Sequence, residues 1–115
     1  MIDERRALLP GTLEMLVLKT LSRGALHGYQ IAKAIQERTK DVLQVEEGTL
    51  YPALHRMERR GWIDAEWGPS ESNRRAKFYA LTKDGRAELK SRAADWDRVS
   101  TAIARVMEAR SAVSE

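Results

Sequence analysis

Residues 46–63 read EEGTLYPALHRMERRGWI, and this stretch decides the fold because it spells a short helix with two unlike faces and a stop. Leu50, Ala53, Leu54 and Met57 follow the i, i+3, i+4, i+7 spacing that gathers apolar side chains on one stripe. That stripe predicts a core-facing side. Opposite it lie Pro52, His55, Arg56 and Arg59, with Thr49 and Tyr51 near the first turn. Donors, cations and one ring on an exposed face suit the major groove of DNA. Many amphipathic helices carry such a face simply as solvated surface, and the wheel alone leaves that reading open. The end is marked by Gly61, which can take the left-handed conformation after the last turn, and by Arg59 and Arg60, whose charge suits the helix dipole. The start has two readings. Pro52 lacks an N–H, so either Thr49 is the N-cap or the helix begins earlier with a distorted opening turn.

On the N-terminal side, Pro10, Gly11 and Thr12 form a start signal for a helix carrying Leu13, Leu16, Val17 and Leu21 on one stripe. The charged lead-in over residues 1–9 has a small apolar tip at Ala7 to Leu9. A break at Gly24 to Gly28 precedes a second helix with Ile31, Ala32 and Ile35 inward, Tyr29 packed at its start and His27 serving as a turn or cap residue. The linker Asp41 to Val45 joins it to the opening helix, so the two form a helix-turn-helix pair.

After Gly61 the period changes. Ile63, Ala65 and Trp67 alternate with Trp62, Asp64 and Glu66, which predicts a strand. The turn-rich GPSESN at Gly68 to Asn73 follows. A second strand over Arg74 to Leu81 places Phe78 and Ala80 on one face and Lys77, Tyr79 and Leu81 on the other. This hairpin is a wing whose Arg74, Arg75 and Lys77 are placed to neutralise phosphates, and an arginine at its tip can enter a narrow minor groove.

Three motifs carry a resemblance. GTLYPALHRMERRGWI resembles the recognition-helix signature of the PadR-like transcriptional regulators, HGYQIAKAI at His27 to Ile35 resembles the helix before it, and KFYALTKDG at Lys77 to Gly85 resembles the second wing strand running into the next helix. Together they cover roughly Leu9 to Leu89. The resemblance implies a mainly α chain with a small β-hairpin, a winged helix-turn-helix followed by a dimerising C-terminal part, and often a repressor released by small molecules. Longer members have a multi-helix C-terminal domain. This chain has room for one helix after the wing, which matches a short subgroup.

That last helix begins at Thr82 as cap, with Asp84 in its first turn, and no stop follows before the tail. From Lys83 to about Ala109 it would run roughly 40 Å at 1.5 Å per residue. Leu89, Ala93, Trp96, Val99, Ile103, Val106 and Met107 recur at spacings of three and four, the stripe of a helix packed along another helix. A chain of 115 residues has nothing else to cover its distal half, so a homodimer is expected. Trp96, with small neighbours Ala93, Ala94 and Ser100, is where a flat aromatic or cationic effector would stack. We divide the chain into residues 1–82, the winged helix-turn-helix with its lead-in, and residues 83–115, the dimerisation helix and tail.

Composition narrows the classes. With 20 basic against 17 acidic residues the net charge is only +3, so the placement of charge argues for a DNA partner more than its sum does. The absence of cysteine removes thiolate nucleophiles, disulfides and thiolate metal sites. His27 and His55 lie on different helices, and the sequence has neither a phosphate-binding Gly-rich loop nor a metal-ligand cluster, so an enzyme, a cofactor and a metal are not expected. Without an apolar run of membrane length or an apolar segment behind the charges of MIDERRALLPG, a cytoplasmic protein with no membrane partner is expected. The competing class is a winged helix that docks protein, with Tyr51, His55 and Arg59 as its contacts; salt-dependent retention on a duplex separates the two.

Overall fold

The chain turns into its first helix at Gly11, whose φ of 86° puts it in the left-handed region that glycine tolerates. The computed structural model describes residues 11–113, with 109–113 as helical backbone only; the lead-in 1–9 and the end of the tail lie outside the described residues. In chain order the elements are α1 (Thr12–Leu21), β1 (Leu26–His27), α2 (Gly28–Arg38), α3 (Glu47–Arg59), β2 (Ile63–Pro69), β3 (Arg75–Leu81) and α4 (Lys83–Val113).

The apolar stripes meet where their spacing requires. Val17, Leu18 and Leu21 of α1, Ile31 of α2, Leu50, Leu54 and Met57 of α3 and Ile63 of β2 are almost wholly buried in one cluster. Full burial of side chains of this size contributes about 1.5–3 kcal/mol each, so the cluster is what orients α3. Gly61 at φ 78° ends α3, and Trp62 N–H bonds back to Met57 O at 3.0 Å. Of the two readings of the α3 start, the earlier one holds: Glu46 is the N-cap, and Pro52 lies inside the helix.

The wing is part of a three-stranded antiparallel sheet in the order β1-β3-β2. Ile63 pairs with Leu81, Ala65 with Tyr79 and Trp67 with Lys77, which confirms the alternation expected of both strands. The strand β1 was not expected. Leu26 and His27 pair with Tyr79 and Phe78, and two residues are too few to display a period, so β1 exists only because β3 offers its free edge. Beyond the sheet, the hydroxyl of Thr82 accepts from Gly85 N–H at 3.0 Å and donates to Gly61 O at 2.6 Å, capping α4 and tying it to the end of α3. The helix α4 is 31 residues long, a little longer than expected. Its first half lies along α1, and the extents of 59 × 32 × 21 Å reflect its projection beyond that.

Candidate nucleic-acid interface

Burial of Leu50, Ala53, Leu54 and Met57 leaves Gly48, Pro52, His55 and Arg59 as the exposed ridge of α3. These positions, at i, i+4, i+7 and i+11, fall on one line of a helix with 3.6 residues per turn. The side chains of His55 and Arg59 have no hydrogen-bond or ionic partner among the described residues. Thr49 is exposed on one flank of the ridge and Tyr51 on the other, where its ring rests on Gly28 so closely that a Cβ there would stand 2.6 Å from the Tyr51 hydroxyl.

Arg56 is placed differently from its expected position on the ridge. Its Nε lies 3.5 Å from Glu14 Oε2, beside Arg60 at 3.7 Å, while Arg92 of α4 reaches Glu14 Oε1 at 3.1 Å. The Glu14 side chain is only 9% exposed, so three guanidiniums converge on a buried carboxylate. Arg60 and Arg92 also stack on Trp62, at 5.1 and 4.9 Å from the ring centre. The cluster joins α1, α3 and α4. A signal for it stood in the sequence: Glu14 falls within the apolar stripe of α1, and an acid in a buried stripe requires cations from elsewhere.

The wing cations divide in the same way. Lys77 Nζ is 3.2 Å from Glu58 Oε1 and 5.6 Å from the Tyr79 ring, so it neutralises α3 instead of standing free. Arg75 lies over the exposed indole of Trp67 at 5.0 Å, held at the edge of the wing. Arg74 is exposed, and its guanidinium has no partner among the described residues. The tip is a closed turn, with Ser70 N–H bonded to Arg74 O at 2.7 Å and Asn73 in the left-handed region at φ 62°.

Between wing and α3 runs a cleft of about 670 Å³ lined by His27, Tyr29, Tyr51, Trp67, Arg75 and Lys77. Tyr29 was expected to pack at the start of α2 but is 67% exposed here. Packing at that helix start is supplied by His27. Its Nδ1 accepts from Gln30 N–H at 3.3 Å, and Gln30 Oε1 in turn accepts from the His27 backbone N–H at 3.1 Å. Since Nδ1 accepts, Nε2 carries the proton and donates to Glu71 Oε1 at 3.1 Å. Gln30 Nε2 donates to the other oxygen of Glu71. The backbone N–H of Glu71, and then His27, hold its carboxyl below the usual carboxylate range. Glu71 thus ties the wing tip to α2, a contact that spacing did not suggest.

Along α4, Leu89 is placed differently from expectation, half-buried against the protomer's own core. Ala93 is exposed. Trp96, Val99, Ile103, Val106 and Met107 are between 47% and 70% exposed, so the distal stripe is uncovered in one chain.

The profile of the transcriptional regulator PadR-like family matches residues 17–91, which span α1 through the wing into α4. The chain belongs to the PadR-like family. Among solved structures, a transcriptional regulator from Clostridium thermocellum is 28% identical with a TM-score of 0.77, over 86% of this chain and 96% of that one. A PadR family transcription regulator from Clostridium difficile is 29% identical with a TM-score of 0.74, over 84% of this chain and 99% of the other. An uncharacterised protein of Lysinibacillus sphaericus is 30% identical over 90% of this chain and 95% of its own length. The fold is therefore the PadR winged helix, and the family is one of DNA-binding transcriptional regulators. No described helix is long and apolar enough to cross a membrane.

Proposed function

We propose that this PadR-like chain is a cytoplasmic repressor that binds an inverted-repeat operator as a homodimer. The observation that carries the reading is the exposed α3 ridge of His55 and Arg59, unpartnered among the described residues and flanked on the wing by Arg74 and Arg75. Thr49, Tyr51, Pro52 and His55 are the candidates for reading base edges, and Arg59, Arg74 and Arg75 for holding phosphates. Arg56 and Lys77 act through Glu14 and Glu58, orienting α3 and the wing. Two units related by a two-fold axis would meet half-sites about one helical turn apart.

A gel shift against inverted repeats upstream of the gene tests this, and absence of binding at low salt to both those repeats and bulk DNA would refute it. Replacing Arg75 with Ala should weaken binding to all sequences alike and lower the slope of log K against log salt by about 0.9. A loss confined to one sequence would contradict a phosphate role.

Release by ligand belongs to the same proposal, at Trp96. A groove of about 430 Å³ beside it is lined by Thr12, Met15, Glu88, Arg92, Asp95 and Val99, with Glu88 paired to Arg92 and Asp95 to Arg98. In a two-fold dimer the indoles would hold a flat apolar or cationic compound, with cation–π attraction of about 0.5–2 kcal/mol per ring. Such a ligand acts on DNA only by favouring one spacing of the two α3 helices, since equal affinity for both shifts nothing. In a Trp62→Phe, Trp67→Phe background, planar cations should quench Trp96 emission and weaken operator binding together. Quenching that leaves operator affinity unchanged would reduce Trp96 to a packing residue.

A further inference from the structure

Two residues on the α3 ridge weaken the helix without serving the fold. Gly48 is in the first turn with no positive φ, and a Cβ built on it meets nothing within 4 Å. Glycine in a helix is costly because it forfeits backbone entropy, and it is usually retained for a left-handed φ or a close approach. Gly28 and Gly85 have such reasons, since a Cβ on either would strike Tyr51 or Trp62. Gly48 has none among the described residues. One turn on, Pro52 sits in the helix interior, where it cannot donate to Gly48 O, and its ring is exposed. Alanine would serve the helix better at both positions.

Both positions lie on the line that also carries His55 and Arg59. Together they form a stretch with no side-chain donor or acceptor: a bare backbone at Gly48 beside the apolar ring of Pro52. The major groove presents donors and acceptors on every base pair but only one apolar group, the C5 methyl of thymine. We propose that Gly48 is a specificity-determining position, where the missing side chain lets a thymine methyl seat against the helix backbone and the Pro52 ring. This rests on the operator-binding reading above and adds one base to it.

The experiment compares wild type and Gly48→Ala in melting temperature and in binding to an operator duplex and an unrelated duplex. Gly48→Ala should raise Tm by a few degrees. It should also weaken operator binding at least about tenfold, within the range of a lost base contact, and leave the unrelated duplex within about twofold. Because a structural role would move stability and binding together, the opposite signs carry the test. Scanning uracil for thymine through the operator should then reveal one position per half-site where loss of the methyl weakens wild type several-fold and leaves Gly48→Ala unaffected.

The inference is overturned by a variant that binds the operator as tightly as wild type, by a lowered Tm, by equal loss on both duplexes, or by a uracil scan without a sensitive position. Wild type that binds no duplex at all overturns the operator reading itself, and this inference with it.

Discussion

Replacing Ile103 with Asp is expected to convert the proposed dimer into single chains. Ile103 is 56% exposed in one protomer and lies on the distal α4 stripe with Val99, Val106 and Met107. These side chains stay largely exposed in one chain, and an apolar run of this length on a projecting helix marks an association surface. An unpaired carboxylate in a helix-helix contact costs several kcal/mol, and a two-fold dimer carries the substitution twice. Light scattering at micromolar concentration reads the outcome directly. The expectation fails if wild type has the mass of one chain, or if Ile103→Asp keeps the mass of two. Truncation after Gly85 should be more severe, because it removes Leu89 from the core and Arg92 from Glu14 as well as the dimer stripe, leaving a poorly soluble or unfolded chain.

Gly85→Ala is expected to destabilise the fold by about 3 kcal/mol or more, which lowers Tm by more than roughly 10 °C for a domain of this size. Gly85 is in the first turn of α4, where alanine would ordinarily stabilise by about 1 kcal/mol. The sign reverses because its Cβ would land on the carbonyl oxygen of Trp62, with the Trp62 carbonyl carbon at 2.9 Å and a Leu81 methyl at 3.2 Å. A backbone neighbour cannot rotate away, and this carbonyl already accepts from Thr82 N–H at 3.1 Å. Relief would require α4 to separate from the α3–β2 junction. Thermal melting decides it, and an unchanged or higher Tm would show that the junction yields. Beside Gly48→Ala, this variant makes the same chemical change in the first turn of a helix with the opposite expected effect on stability.

The two glycines also mark what could be read before the structure was known. Features settled within a few residues were legible: the stripe of α3 and its stop at Gly61, the Thr82 cap of α4, and the alternation that sets Tyr79 and Phe78 on opposite faces of β3. Each depends on helical or strand periodicity, or on a hydrogen bond spanning one turn, so sequence spacing contains it. The family motifs lie within these same elements. The candidate interface was legible to the same depth, because burial of one α3 face exposes the other whatever surrounds it.

What only the tertiary structure decided is which charges remain free. Arg56, Arg59, Arg74 and Lys77 look alike along the chain. Arg56 is drawn to Glu14 on α1, Lys77 to Glu58 nineteen residues away, and the wing tip to His27 through Glu71 across forty-four. The strand β1 and the clash awaiting a Cβ at Gly85 have the same origin. A helix wheel reports the direction in which a side chain leaves its own backbone. Whether a partner of opposite charge, a strand edge or a carbonyl stands there depends on how distant segments are brought together, and local periodicity carries no term for that.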